Sequence, residues 1–208
     1  MFKTIKENIS AEIVEKKSKF IANVFYVESV EEAEEIIRKV KKENKEARHN
    51  CFAFSVFTKK GITNRFSDDG EPSGTAGSPM LNIITSKNIT NVLVVVTRYF
   101  GGILLGTGGL VRAYTGAFQE ALQKVEIIEK EVGKYVKVVT NYQDLEKFKY
   151  YLKQNDIDVR NIEYTENVDV YIDITDEKLE KLKENLNDLN FNVFNIEEIE
   201  NKYIIKKE

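Results

Sequence analysis

Apolar and polar positions along the chain change period often enough to outline most of its elements. Residues 9–15 and 20–27 alternate with period two around the polar stretch Lys16 to Lys19, which predicts a strand pair. The run SVEEAEEIIRKVKKEN then sets Ala33, Ile36, Ile37 and Val40 on one helical face, with Ser29 as the cap. CFAFSVF at 51–57 and VLVVV at 92–96 read as strands, and the second is so uniformly apolar that it predicts a central strand packed on both faces. Between them RFSDDGEPSGTAGSP, residues 65–79, is a loop by composition; Ser78 before Pro79 predicts a helix over 79–86. A second loop, YFGGILLGTGG at 99–109, opens into LVRAYTGAFQEALQK. Its buried side is predicted as Leu110, Ala113, Tyr114, Ala117, Phe118, Ala121 and Leu122, and residues 124–130 lead out as a strand.

Beyond this point the pattern repeats a simpler order. Residues 133–140 alternate as a strand, and 141–154 place Leu145, Phe148 and Leu152 on one helix face with Asn141 as the expected cap. Two alternating runs, 157–164 and 168–174, are joined by Thr165, Glu166 and Asn167, a connection of hairpin length. A helix over 176–188 is capped by Thr175 and carries Leu179, Leu182, Leu186 and Leu189, and 191–204 closes as a strand. The order βαββαβ is that of the ferredoxin-like fold. The expected organisation is therefore two α+β domains, 1–130 and 131–208.

Charge sharpens the division. Residues 1–130 hold 19 Lys/Arg against 16 Asp/Glu, a difference of +3, whereas 131–208 hold 12 against 18, a difference of −6. A polyanion would meet the first part, although +3 is too small a bias to predict nucleic-acid binding, and no sequence-specific DNA binding is expected. His49 and Cys51 are the sole residues of their types, so neither an internal disulfide nor a Cys/His zinc cage can form within one chain. No 18-residue apolar run and no signal-peptide core occur, which leads to the expectation of a cytoplasmic protein without a membrane segment.

Three places can carry chemistry. Gly101, Gly102, Gly106, Gly108 and Gly109 follow a buried strand and precede a helix, flanked by Arg98 and Arg112. That arrangement either receives a phosphate or carboxylate or permits close packing of helix on strand. It matches neither the P-loop nor the dinucleotide fingerprint, so ATP and dinucleotide cofactors are not expected. SDDGEPSGTAGSP groups Asp68, Asp69 and Glu71 as Mg²⁺ candidates, as partners of an arginine, as an anion- or protein-recognition loop, or as turn and capping residues with Ser73 and Thr75. His49, Asn50 and Cys51 place a histidine and a thiol on one face if the strand already begins at 49. A lone Cys in such a run reads first as a small buried hydrophobe, and His49 as a hydrogen-bonding residue at the rim. No nucleophile with a paired base is identifiable, so a binding protein is expected ahead of an enzyme.

Taken together, Lys17-Ser18-Lys19-Phe20, His49-Asn50-Cys51, SDDGEPSGTAGSPML and VVVTRYFGGILLGTGGLVRAY closely resemble the signature of the IMPACT/YigZ-type family. The resemblance implies an N-terminal domain of left-handed βαβ topology, as in ribosomal-protein and elongation-factor domains. For the C-terminal domain it implies a likeness to the last domain of elongation factor G. It further implies a translation-associated regulatory or binding protein in contact with RNA, the ribosome or a translation factor. A protein adaptor and a Mg²⁺-dependent phosphate-ester or nucleotide enzyme are the alternatives. The family site carried over is Lys19, His49, Asn50, Asp68, Asp69, Glu71, Ser73, Thr75, Arg98, Tyr99, Gly101, Gly102, Arg112 and Tyr114.

Overall fold

The computed structural model describes residues 1–58, 61–185 and 191–206. They form two compact units, Phe2–Ile128 and Glu129–Glu208, each with its own sheet-and-helix core. Among the described residues no helix is long and apolar enough to cross a membrane.

The first unit runs β1 (Phe2–Ile5), β2 (Ile9–Glu15), β3 (Ser18–Tyr26), α1 (Val30–Glu43), β4 (His49–Thr58), β5 (Gly61–Ser67), α2 (Gly77–Ser86), β6 (Val92–Tyr99) and α3 (Thr107–Leu122). Its main sheet has the order β2-β3-β6-β4-β5 with every neighbouring pair antiparallel. The central position of β6 agrees with the uniform apolarity of VLVVV. Period-two alternation then splits its side chains: Leu93 and Val95 pack with Ala33, Ile37 and Val40 of α1, while Val92, Val94 and Val96 pack with α2 and α3 on the other face. The buried residues of α3 are the seven that its spacing predicts.

Local starts and stops differ from expectation in several places. Ser78 does not cap α2, which begins at Gly77. The carboxylate of Asp68 does this from upstream, with Oδ1 accepting the amides of Ala76 (3.0 Å) and Gly77 (2.8 Å). Helix α3 starts at Thr107, one turn earlier than the apolar face suggests. The edge strand β5 and the short β1 lie where no element was expected.

The second unit contains β7 (Ile127–Thr140), which begins at the end of the first, then α4 (Leu145–Gln154), β8 (Asp158–Tyr164), β9 (Val168–Thr175), α5 (Asp176–Glu184) and β10 (Val193–Ile205). The strands expected at 124–130 and 133–140 are thus one continuous strand. The order β10-β7-β9-β8 is antiparallel throughout, and Phe148, Leu152, Leu179 and Leu182 bring both helices onto one core with Val136, Val138, Val170 and Ile172. Asn141 does not cap α4 directly; its Oδ1 accepts the amide of Asp144, and the helix begins at Leu145. Leu186 and Leu189 lie outside the described residues.

Candidate functional site

The two glycine-rich loops of the first unit line one cleft, and a buried ion pair ties the first of them to the end of β6, from which the second departs. Arg98, near the end of β6, donates from one guanidinium nitrogen to Glu71 Oε1 at 2.7 Å, and the two side chains are only 7% and 4% exposed. Tyr114 of α3 donates its hydroxyl to the same oxygen at 2.8 Å. Burial raises the Tyr114 phenol well above its ordinary range, so it acts as a donor and not as an acid. The Arg98 guanidinium also lies over the rings of Phe20 (5.3 Å) and Phe100 (5.5 Å). Glu71 therefore joins loop 65–79, the central strand and α3 in one charge-assisted contact.

The rest of the acidic loop is spent on its own geometry. Asp68 accepts the amides of Gly74, Ala76 and Gly77. Asp69, at φ 43°, accepts the amide of Asn50 (2.7 Å) and pairs with Lys41 (2.6 Å). The three carboxylates diverge, and among the described residues no group of His, Cys, Asp and Glu side chains is arranged to hold a metal ion. The joint Mg²⁺ site that their sequence proximity suggests does not assemble here, because each carboxylate has a different hydrogen-bonding task.

Strand β4 begins at His49, so His49 and Cys51 do share a face, yet they bond to the loop and not to each other. His49 Nδ1 meets the carbonyl oxygen of Asp69 at 2.8 Å, which assigns the proton to Nδ1 because a carbonyl only accepts. The Cys51 thiol donates to the Asp68 carbonyl at 2.9 Å. Burial pushes that thiol up to about 12, so it is no nucleophile near neutral pH. Asn50 accepts from Thr97 Oγ1 at 2.8 Å, which ties β4 to β6, and Thr75 donates to the Pro72 carbonyl at 2.6 Å within the loop.

Above the Glu71–Arg98 pair opens a cleft of about 320 Å³. Arg48, His49 and Pro72 line it together with Phe100, Leu104, Leu105, Gly106 and the first residues of α3, Thr107 and Leu110. Its rim is apolar and exposed: Leu104 is 82% accessible and Phe100 39%. Several expected site residues stand apart from it. Lys19 pairs with Glu12, Tyr99 donates to Asn44, Ser73 is exposed, and Arg112 lines an adjoining hollow with Ile13, Lys16 and Gly109 that shares Leu105 with the cleft. Gly101 is a packing residue, since a Cβ there would lie 2.0 Å from the Lys17 carbonyl. Gly102 supplies a positive φ of 86° for the turn that follows.

Sequence reasoning passed over Ser18, Arg48, Phe100 and Leu104. Ser18 Oγ accepts the amide of Gly101 at 3.1 Å and faces Arg98 at 3.5 Å. A signal existed for it: period two puts Ser18 on the same pleat as the inward Phe20. Nothing comparable marks Arg48, which reaches the cleft only because its guanidinium packs over Phe100 at 5.5 Å.

This fold and cleft define an α+β protein of two β-sheet units whose first unit carries a half-open, apolar-rimmed groove over a buried ion pair. Residues 16–122 match the family described as Impact N-terminal domain, and residues 138–189 match a domain of unknown function, DUF1949. The IMPACT family member YvyE of Bacillus subtilis (strain 168) is 36% identical over 203 residues, covering 98% of this chain and 93% of that one. The IMPACT family member YigZ of Escherichia coli (strain K12) is 38% identical over 150 residues, 72% of this chain and 74% of that one. Among solved structures, one titled as the crystal structure of a hypothetical protein superposes with a TM-score of 0.64 at 32% identity, covering 91% of this chain and 92% of that one. The chain belongs to the IMPACT family.

Proposed function

We propose that this protein is a translation-associated binding protein and that the cleft framed by residues 65–79 and 99–114 is its contact surface. The translational setting comes from the IMPACT family resemblance. The contact itself rests on one observation: the buried cation of the cleft, Arg98, is already neutralised by Glu71, while Phe100 and Leu104 of the same lining stand exposed. A phosphate backbone selects uncommitted cations; an apolar rim of this kind selects the surface of another protein. RNA is the weaker reading for that reason, since Lys19 is paired and Arg112 lies in another hollow.

On the same reading the first unit has the left-handed βαβ topology of ribosomal-protein domains, supported by β3 and β4 flanking β6 with α1 between them in sequence. The second is ferredoxin-like, resembling the last domain of elongation factor G, supported by the order β10-β7-β9-β8. Co-sedimentation separates the ligand classes. The protein should pellet with unwashed ribosomes, which carry their associated factors, and not with protein-free ribosomal RNA; Leu104→Asp should abolish the first. Retention on bare RNA that Leu104→Asp leaves unchanged would overturn the proposal.

A further inference from the structure

The cleft is apolar at its rim but not neutral. Among its lining residues Arg48 and Arg98 face a single carboxylate, Glu71. Arg98 is committed to that carboxylate, yet its Nε is buried and without a hydrogen-bond partner. Arg48 is exposed, held over Phe100, and forms no ion pair with any carboxylate among those found in the described residues. The cleft lining includes the start of α3, a helix of 16 residues whose first turn has no side-chain cap and no acidic residue. Its N-cap, Gly106, has φ 70°, and no side-chain cap bonds the first amides of the helix. A helix N-terminus carries about half a positive charge. The groove thus combines an apolar wall, one uncommitted guanidinium and a positive helix end.

We infer that the occupant of this cleft is a protein segment that inserts an aliphatic or aromatic side chain against Phe100, Leu104 and Leu105 and sets a carboxylate between Arg48 and the α3 amides. This deepens the protein-contact reading of the cleft and rests on it. A carboxylate fits better than a phosphate diester for two reasons. Within the cleft itself the exposed charge is one guanidinium, Arg48, and a helix end, enough for a single anion, while Arg112 lines the adjoining hollow beyond Leu105. The wall beside it is hydrocarbon, which a peptide side chain matches and a ribose-phosphate backbone does not. At about 320 Å³ the cleft lies at the small end of the range of roughly 300–1,000 Å³ for ligand sites, the size of one anchoring side chain and its neighbour.

The test uses small probes with the full chain, read by amide chemical shifts. N-acetyl-leucine presents both features, N-acetyl-leucinamide lacks the charge, N-acetyl-glycine lacks the side chain, and inorganic phosphate has charge alone. N-acetyl-leucine is expected to shift the amides of Arg48 and Thr107 to Leu110 and to bind about fivefold more tightly than the amide, the usual scale of one exposed charge-assisted contact. In Arg48→Gln the ratio should fall below about twofold, and in Leu104→Ser both leucine probes should weaken together. Equal binding of N-acetyl-leucine and its amide overturns the carboxylate inference while leaving the apolar contact surface intact. Shifts from phosphate with silence from both leucine probes overturn the two together. Shifts confined to the Arg112 hollow also overturn the inference, because they place the anion elsewhere.

Discussion

Glu71 is the residue on which the site depends, because three elements meet at one of its oxygens. Glu71→Gln removes the charge opposite a buried guanidinium and is expected to destabilise the first unit by about 3–5 kcal/mol, measured by denaturant unfolding. Tyr114→Phe removes only one donor and should cost about 1–2 kcal/mol. If Glu71→Gln unfolds at the wild-type midpoint, the pair is not desolvated as described. Cys51 gives a chemical check: with its thiol held up at about 12 against an ordinary 9.0, native protein should resist iodoacetamide at pH 9 and react only on unfolding. Labelling at the rate of a free thiol would contradict its burial. At this scale the sequence showed which residues were chemically unusual but not how they were paired. Asp68, Asp69 and Glu71 look like one acidic cluster when written in a line, and a backbone at positive φ at Asp69 and Gly70 sends them to three separate partners.

Elements with a strong apolar period were legible, and those set by remote partners were not. Strand β6 and helix α3 follow from their patterns because burial imposes the period. Edge strand β5 escapes because GITNRFS is mostly exposed, and the start of α2 escapes because its cap comes from Asp68, eight residues ahead of Ala76. The tight seam between the β2–β3 turn and the second glycine loop makes a sharp prediction: Gly101→Ala forces a Cβ into the Lys17 carbonyl and should lower the melting temperature of the first unit markedly. A melting temperature within a degree or so of wild type would show that the seam can open.

In the second unit, Asp144 ties the start of α4 to the approach to β10. Its carboxylate accepts from Asn192 and Asn141, which hold it at about 2 against an ordinary 3.8. Glu198 is likewise held at about 2, by Lys134 and Lys183, against an ordinary 4.5. Both folded values are depressed, so this stabilisation is present above the ordinary values and is lost as pH falls from about 4.5 towards 2. Asp144→Asn should flatten the acid limb of unfolding for this unit. An unchanged acid midpoint in that variant would remove Asp144 from the account.

At the scale of the whole molecule, the two-unit division and the charge asymmetry point to different roles for the halves, with the first offering the groove and the second a net negative surface. The break falls within β7, a single strand where two were expected, at 124–130 and 133–140; charge and the βαββαβ order, not a linker, are what suggest a division near it in the sequence. What stayed hidden was the character of the groove, since Leu104 and Arg48 become neighbours only after β4 and the second glycine loop are brought together. The central claim is that this groove meets protein and not nucleic acid. The salt dependence of retention on unwashed ribosomes tests it most directly, wild type beside Leu104→Asp. A shallow log–log slope, smaller in size than about 1, is expected, with binding lost in Leu104→Asp at every salt. A slope of about −2 or steeper, with Leu104→Asp behaving as wild type, would mean that phosphates are being neutralised and would contradict the claim.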